Sequence, residues 1–146
     1  MNVFKESFGE IIFNEEVPCV IWKPSKFMNS DQFKKLMTTG IDFYIKKKPD
    51  VSNLVWLNDS RDMKVIGKED QKWLEEFVTN QALKYGLKYI AFVLPENVFG
   101  KLIVNAYIKS TLDRKASELE IKTFSDYNKA VEWLSECARK PEIAVN

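Results

Sequence analysis

The order in which strand-like and helix-like segments follow one another most constrains what this chain can fold into. Two short β-branched runs and a helical segment come first, and a strand-like run followed by a helical segment then occurs three times. Strands that alternate with helices favour parallel pairing through right-handed crossovers, with the helices covering the sheet. The sequence therefore predicts an α/β fold: a single-layer mixed, mostly parallel five-stranded sheet covered by about four helices, in the order β-β-α-β-α-β-α-β-α.

The boundaries of these elements follow from the hydrophobic period and from turn and capping residues. Asn29 or Ser30 can cap the first helix, which Gly40 interrupts, and Ser125 is the expected cap of the last helix. The predicted strands cover residues 8–13, 17–22, 54–57, 89–94 and 119–123, and the predicted helices cover about 29–48, 68–85, 97–112 and 125–138. With no internal repeat or linker, residues 1–146 are predicted to form one domain with a loose tail at 141–146.

Composition excludes several classes of protein. Hydrophobic residues make up 45% of the chain and aromatic residues 13%, which excludes a disordered chain. Because 22 basic residues balance 21 acidic ones, the charge gives no indication of nucleic-acid binding. No apolar run approaches the roughly 20 residues of a membrane span, and the first residues lack a secretory signal. We therefore expect a cytoplasmic protein.

The chain contains no histidine, which argues against most catalytic sites. Imidazole is the commonest general base and a frequent metal ligand, so Ser-His-Asp, Cys-His and His-ligated sites are excluded. Asp59, Asp62 and Asp70 match no calcium loop, and no glycine-rich phosphate cradle occurs. We predict no enzyme, no metal and no cofactor, and rank a carboxylate-dependent hydrolase last. Cys19 and Cys137 are expected to be buried free thiols, although spacing alone leaves a disulfide open.

A functional surface is expected at the carboxyl ends of the parallel strands, where ligands of open α/β sheets bind. The loops at 58–67 and 95–97 begin at these strand ends. Arg61 can either hold an anion or pair with a neighbouring aspartate, and the second arrangement is the more common. The candidate site residues are Asn58, Asp59, Ser60, Arg61, Met63, Asp70, Trp73 and Glu96. The four tryptophans lie at core-compatible positions, which favours packing over an aromatic binding surface.

Four stretches of the chain resemble the small bacterial SpoIIAA-like proteins of the STAS family, and the resemblance covers most of the chain. They are residues 56–66 (WLNDSRDMKVI), 70–74 (DQKWL), 90–99 (IAFVLPENVF) and 124–134 (FSDYNKAVEWL). The resemblance implies a non-catalytic module that binds partner proteins and sometimes nucleotides.

The same resemblance draws attention to Ser60. In the anti-sigma factor antagonists of this family, a serine just after the third strand is phosphorylated, which breaks the partner complex. Asp59, Ser60 and Arg61 occupy the corresponding place here, so the resemblance implies possible phosphorylation of Ser60. The chain departs from the pattern because no second serine or glycine follows, and Arg61 stands where a small residue is usual.

Two functions of different classes stay open from the sequence. The first is a regulatory or protein-interaction module that uses the loop after the third strand and the following helix, marked by Met63, Val65 and Ile66 turned outward. The second is a carrier of a small ligand, lipid-like or anionic, in a pocket at the strand ends. Trp56, Met63, Trp73 and Phe99 would line that pocket, and Arg61 would meet a polar head group. The partner is thus another protein or a small ligand, and a homodimer stays open.

Overall fold

The computed structural model describes residues 1–63, 66–115 and 119–140. Within these residues one six-stranded sheet forms the centre of an α/β fold. Its strands are β1 (Asn2–Glu6), β2 (Gly9–Asn14), β3 (Cys19–Pro24), β4 (Val55–Asp59), β5 (Tyr89–Val93) and β6 (Glu120–Phe124). The predicted tail at 141–146 lies outside the described residues.

The strands lie in the sheet in the order in which they occur along the chain. β1, β2 and β3 pair antiparallel, whereas β3, β4, β5 and β6 pair parallel, so the sheet is mixed as predicted. The prediction of five strands was wrong, because β1 adds an edge strand before the opening hairpin. β1 was missed because only Val3 and Phe4 of its side chains are even partly buried, which leaves no apolar alternation in the sequence.

A helical segment follows each of the four strands β3, β4, β5 and β6. They are α1 (Ser30–Lys47) with a 3-10 turn (Lys48–Asp50), α2 (Lys68–Trp73), a π-helical turn (Leu74–Val78), α3 (Thr79–Lys84), α4 (Val98–Lys115) and α5 (Tyr127–Ala138). α2, the π turn and α3 run on without a break, so about four helical segments cover the sheet, as predicted. In the described part of the chain, no helix combines the length and apolarity that crossing a membrane requires.

The start of α1 is set by local sequence. Asn29 accepts a hydrogen bond from the Gln32 backbone, and the Gln32 side chain accepts one from the Asn29 backbone, which is the predicted capping box. Gly40 does not break the helix. A Cβ there would lie 2.9 Å from Cη2 of Trp56 and 3.2 Å from Cδ1 of Ile11, so glycine lets α1 approach the sheet closely. α5 is capped by Asp126 rather than the predicted Ser125, since the Asp126 carboxylate accepts from the Asn128 and Lys129 backbones.

The π turn changes which side chains of the second helical segment face the sheet. The apolar set of this segment includes Phe77, Val78 and Ala82, and its helical period predicts that all three are buried. Val78 and Ala82 are buried, together with Thr79, but Phe77 is 50% exposed. The wider turn places one extra residue in the helical register and thereby rotates the face that follows it. Periodicity alone could not show this shift.

Each face of the sheet carries its own core, because successive strand residues point to opposite sides. Val20, Trp22, Trp56, Ile90 and Phe92 face α1, the α2–α3 segment and α4. The alternate positions face α5 and include Cys19, Ile21, Leu57 and Ala91, and Cys137 packs on this side from α5. Cys19 and Cys137 are buried and free, so the disulfide left open by the sequence is not formed.

Candidate functional site

A cavity of about 60 Å³ lies between the sheet and the three helical segments on its first face. That volume holds about four water molecules, whereas a cavity that binds benzene measures roughly 150 Å³, so a ring would enter only if the helical walls moved apart. Trp22, Trp56 and Phe92 contribute from the strands, and Met37 and Ile41 from α1. The remaining apolar wall consists of Phe33, Met63, Ile66, Leu74, Val78, Ala82, Leu87, Ile90, Ile103, Val104 and Leu119. This apolar cavity is called the sheet–helix cavity below.

A small set of polar side chains faces the sheet–helix cavity. Nε1 of Trp56 donates to Oδ1 of Asn58 at 2.9 Å, which holds the Asn58 amide in one orientation. Nε2 of Gln71 donates to the backbone oxygen of Ile66 at 2.8 Å. Asn58 and Gln71 both line the cavity, together with Ser60 and with a hydroxyl pair described next.

Thr79 and Tyr107 join the two helical segments that wall the cavity. Their hydroxyl oxygens are 2.5 Å apart, and the Thr79 hydroxyl also lies 3.1 Å from the backbone oxygen of Leu74. The simplest arrangement has Thr79 donating to Leu74 and Tyr107 donating to Thr79. Burial raises the pKa of Tyr107 more than its contacts with the Thr79 and Thr111 hydroxyls lower it, so the Tyr107 hydroxyl keeps its proton at neutral pH.

No charged residue occurs in the described lining of the cavity. A polar cleft of about 150 Å³ adjoins it and shares Phe33, Met63 and Ile66 with it. The cleft holds one basic and one acidic side chain, Lys26 and Asp70. Asp70 accepts a hydrogen bond from the Ser30 hydroxyl at 2.7 Å, which joins the starts of α1 and α2. Among the side chains that the structure describes, charge is therefore found beside the cavity and not in its lining.

The candidate residues at the end of β4 and in the loop that follows it lie on opposite faces of the sheet. Asn58, Ser60 and Met63 line the sheet–helix cavity. Asp59 and Arg61 instead form a bidentate ion pair, with Nε and Nη2 of Arg61 each 2.8 Å from a carboxylate oxygen of Asp59. This alternation follows from the pleat of β4, which turns neighbouring side chains to opposite sides.

A residue of α5 contacts the Asp59–Arg61 ion pair. The Arg61 guanidinium lies 4.9 Å from the ring centre of Tyr127, in a cation–π arrangement. The hydrogen bond with Asp59 raises the pKa of Arg61, and burial raises the pKa of Tyr127. The structure thus shows the alternative in which Arg61 pairs with a neighbouring aspartate. It does not place Arg61 in the cavity where a ligand head group would lie.

Ser60 is buried, with only 1% of its surface exposed. Its backbone N–H donates to Val93 at 3.0 Å, which ties the end of β4 to β5. A kinase could reach this hydroxyl only if the loop opened. Phosphorylation of Ser60 stays a prediction, and the arrangement makes it conditional on such an opening.

The other candidates are spread over the surface and the cavity edge. Trp73 is half-buried and packs on Phe33 and Phe77 outside the cavity, with ring centres 5.9 Å apart in both pairs. Glu96 is exposed, and Phe99 is 71% exposed. The pocket expected from the sequence therefore keeps Trp56 and Met63 in its described lining, and Trp73 and Phe99 lie elsewhere.

Several residues of the cavity were missed from the sequence. The sequence favours core packing for Trp22 and Tyr107, and it marks neither Gln71 nor Thr79 as a site residue. Thr79 was detectable in principle, because it is a polar residue three positions before the buried Ala82 in a helical segment. Trp22 carried no such signal, since an aromatic residue in a strand usually indicates packing alone.

Among the described residues, no group of three or more Cys, Asp or Glu side chains is placed to hold a metal ion. Asp59 is bound to Arg61, and Asp70 is bound to Ser30 at the adjoining cleft. Asp59 and Asp70 are thus engaged at separate places, so the three aspartates considered from the sequence do not form one site.

Known protein families, curated proteins and solved structures were compared with the chain, and none of them matches it. The resemblance to the STAS family accordingly stays a prediction from the sequence.

Proposed function

We propose that this domain binds a small, mostly apolar molecule in the sheet–helix cavity. The observation that carries the proposal is the cavity itself, an apolar space with a few convergent polar groups from Asn58, Ser60 and Gln71. Pockets for small ligands have this composition, in which apolar walls supply affinity and a few polar groups orient the molecule. This supports the second of the two functions left open by the sequence.

The alternative explanation is a void without a ligand. Protein interiors are usually packed as densely as organic crystals, and side chains around a void lose dispersion contacts. The cavity lies beside a π-helical turn, a deviation that is frequent at functional sites. Leu74, Val78 and the adjoining Thr79 all line the cavity, so the irregular turn shapes the wall directly.

The test uses toluene and indole as probes, with binding measured by ligand-observed NMR and by the shift in melting temperature. We expect a Kd of about 0.1–1 mM, which is reasonable for a ligand of this size. In Ala82→Leu, the longer side chain would enter the cavity from α3. We expect this variant to keep or raise the melting temperature and to lose probe binding, because it fills the space that the probe needs.

The control is Val131→Ala, a change on α5 at the opposite face of the sheet. It should lower stability by about 1 kcal/mol and leave probe affinity unchanged. Failure of both probes to bind the unaltered protein, or equal binding by Ala82→Leu, would contradict the proposal. Native mass spectrometry of the gently purified protein would then reveal whether any molecule is carried naturally.

A protein-interaction role is the second candidate, and one observation favours it. Val98, Phe99 and Leu102 at the start of α4 are 69%, 71% and 60% exposed. Apolar side chains grouped on a surface are typical of contact sites. The surface differs from the one expected near the loop after β4, because Met63 is buried, Ile66 is partly buried and Val65 lies outside the described residues. The double variant Phe99→Ser/Leu102→Ser should no longer bind a partner protein, whereas it should still bind toluene.

A further inference from the structure

We propose that the ligand of the sheet–helix cavity is an uncharged molecule whose hydrogen-bond acceptor, such as a carbonyl oxygen, meets the amide nitrogen of Asn58. This inference rests on the proposed function and narrows it to one chemical class. An uncharged ligand differs from the anionic one, with a head group at Arg61, that the sequence also allowed. Two features of the cavity carry the inference: the orientation of Asn58 and the absence of charge in the described lining.

The orientation of Asn58 determines what it can offer to a ligand. Its Oδ1 is engaged by the indole N–H of Trp56 at 2.9 Å, and Asn58 is only 8% exposed. The opposite orientation would bring two donors together, so the nitrogen must point away from Trp56. Among the described residues, no hydrogen bond uses that nitrogen. A ligand acceptor would therefore satisfy a donor that the protein leaves unpaired.

A second donor in the cavity wall lacks a partner. The indole Nε1 of Trp22 is buried and has no hydrogen-bond partner among the described residues. Trp22 is 2% exposed and belongs to the cavity lining. Most buried polar groups in proteins are hydrogen-bonded, so an unpaired one calls for a specific explanation. This nitrogen has almost no accessible surface, so a ligand would reach it only after the wall moved, and Asn58 is the donor that a ligand meets first.

One acceptor complements these donors. Gln71 uses its Nε2 to donate to the Ile66 backbone, and its Oε1 is left on a side chain that lines the cavity. A ligand that carries both a carbonyl oxygen and an N–H group would match Asn58 and Gln71 together. A primary amide on a small ring is therefore a suitable probe.

Charge in the surroundings disfavours an ionic ligand. The described lining contains no Lys, Arg, Asp or Glu side chain. Arg61 binds Asp59 on the other face of the sheet. The adjoining cleft is lined by one basic residue, Lys26, and one acidic residue, Asp70. A buried carboxylate without a countercharge is strongly disfavoured relative to its neutral form.

The experiment compares benzamide with benzoate, which have nearly the same shape but differ in charge, and uses toluene as the apolar reference. At pH 7 we expect benzamide to bind at least about tenfold more tightly than benzoate, because only benzoate must bury an unpaired charge. Between pH 7 and pH 5.5 the apparent affinity of benzoate should rise by about tenfold per pH unit, since the neutral acid alone binds. Benzamide affinity should not change over that range.

Asn58→Leu tests the contact itself. We expect this variant to bind toluene as before and to lose most of the preference for benzamide over toluene. Val131→Ala, on α5 at the opposite face of the sheet, should keep that preference. Equal binding of benzoate and benzamide at pH 7, or an unchanged preference in Asn58→Leu, would overturn the inference while toluene binding still supported the proposed function. If toluene itself fails to bind, both proposals fall.

Discussion

Trp56 and Asn58 lie two residues apart on the cavity face of β4, and the indole N–H of Trp56 donates to Oδ1 of Asn58 at 2.9 Å. Both side chains are buried, at 3% and 8% exposure. The bond satisfies the Trp56 donor and orients the Asn58 amide. One contact within a single strand therefore contributes both to stability and to the polar character of the cavity.

The Trp56–Asn58 bond can be measured by a double-mutant cycle in urea unfolding. Asn58→Leu should lower the free energy of unfolding by about 1–3 kcal/mol, because it leaves the buried Trp56 N–H without an acceptor. Trp56→Phe should also destabilise the protein, since it removes the donor and part of the packing. In the double variant the two losses should be less than additive by about 1 kcal/mol. Strict additivity would show that the bond contributes nothing measurable.

Arg61 is expected to act on stability and not on ligand binding. Arg61→Ala should lower the free energy of unfolding by about 1–2 kcal/mol, because it leaves the carboxylate of Asp59 buried without its partner. The value is moderate since the Arg61 side chain is 44% exposed. Arg61→Lys should lose less, as it keeps the charge without the bidentate geometry. Toluene affinity should be the same in all three proteins, and a loss of affinity in Arg61→Ala would place this residue in the binding site.

Gly40 sets the distance between α1 and the sheet. In Gly40→Ala the new methyl group would lie 2.9 Å from the Trp56 ring, which must shift. We expect a net destabilisation of about 1–2 kcal/mol, since overpacking outweighs the better helix propensity of alanine. Gly67→Ala is the matched control, because no atom lies within 4 Å of a Cβ placed there. Urea unfolding of both variants checks this, and equal effects would mean that α1 can move away freely.

Alkaline pH should destabilise the fold through its buried thiols. Burial raises the pKa of Cys19, and burial likewise raises the pKa of Cys137. The unfolded chain releases these protons near the ordinary cysteine pKa of about 8.5, whereas the folded chain retains them. Unfolding is therefore favoured progressively as pH rises above about 8.5, by up to about 1.4 kcal/mol per pH unit for each group.

The variant Cys19→Ala isolates one of these two thiols. Urea unfolding at pH 7.5, 9 and 10 under reducing conditions should show a shallower decline in stability for Cys19→Ala than for the unaltered protein. The difference in slope should approach the value for one proton, because Cys19 no longer titrates in the unfolded chain. Parallel declines in the two proteins would assign the alkaline sensitivity to other groups.

Local sequence was enough to predict most of the elements. The capping box at Asn29 and Gln32 begins α1 where it was expected, and the apolar run at 89–94 became β5 (Tyr89–Val93) at the centre of the parallel strands. These signals are local, since they depend on backbone hydrogen bonds and on the period of side chains within one element. The mixed α/β sheet followed from the order of the elements alone.

The candidate site was predicted only in part. Asn58, Ser60 and Met63 line the cavity near the expected strand end, whereas Arg61 lies on the opposite face of the sheet. The sequence placed all of them in one polar loop, and it offered no means of deciding which side of the sheet each would face. That decision depends on where β4 ends and on the pleat, which turns Asp59 toward α5 and Asn58 toward α1.

The sequence by itself determined the α/β class and most helix and strand positions, because these follow from contacts between residues close along the chain. Only the tertiary structure decided that β1 (Asn2–Glu6) joins the sheet edge, that Phe77 is turned outward by the π turn, and that an apolar cavity remains beside Trp22. A strand pairing, a shifted helical face and an unfilled space each depend on how distant side chains meet. Their volumes and directions are set by packing, which a one-dimensional pattern does not contain.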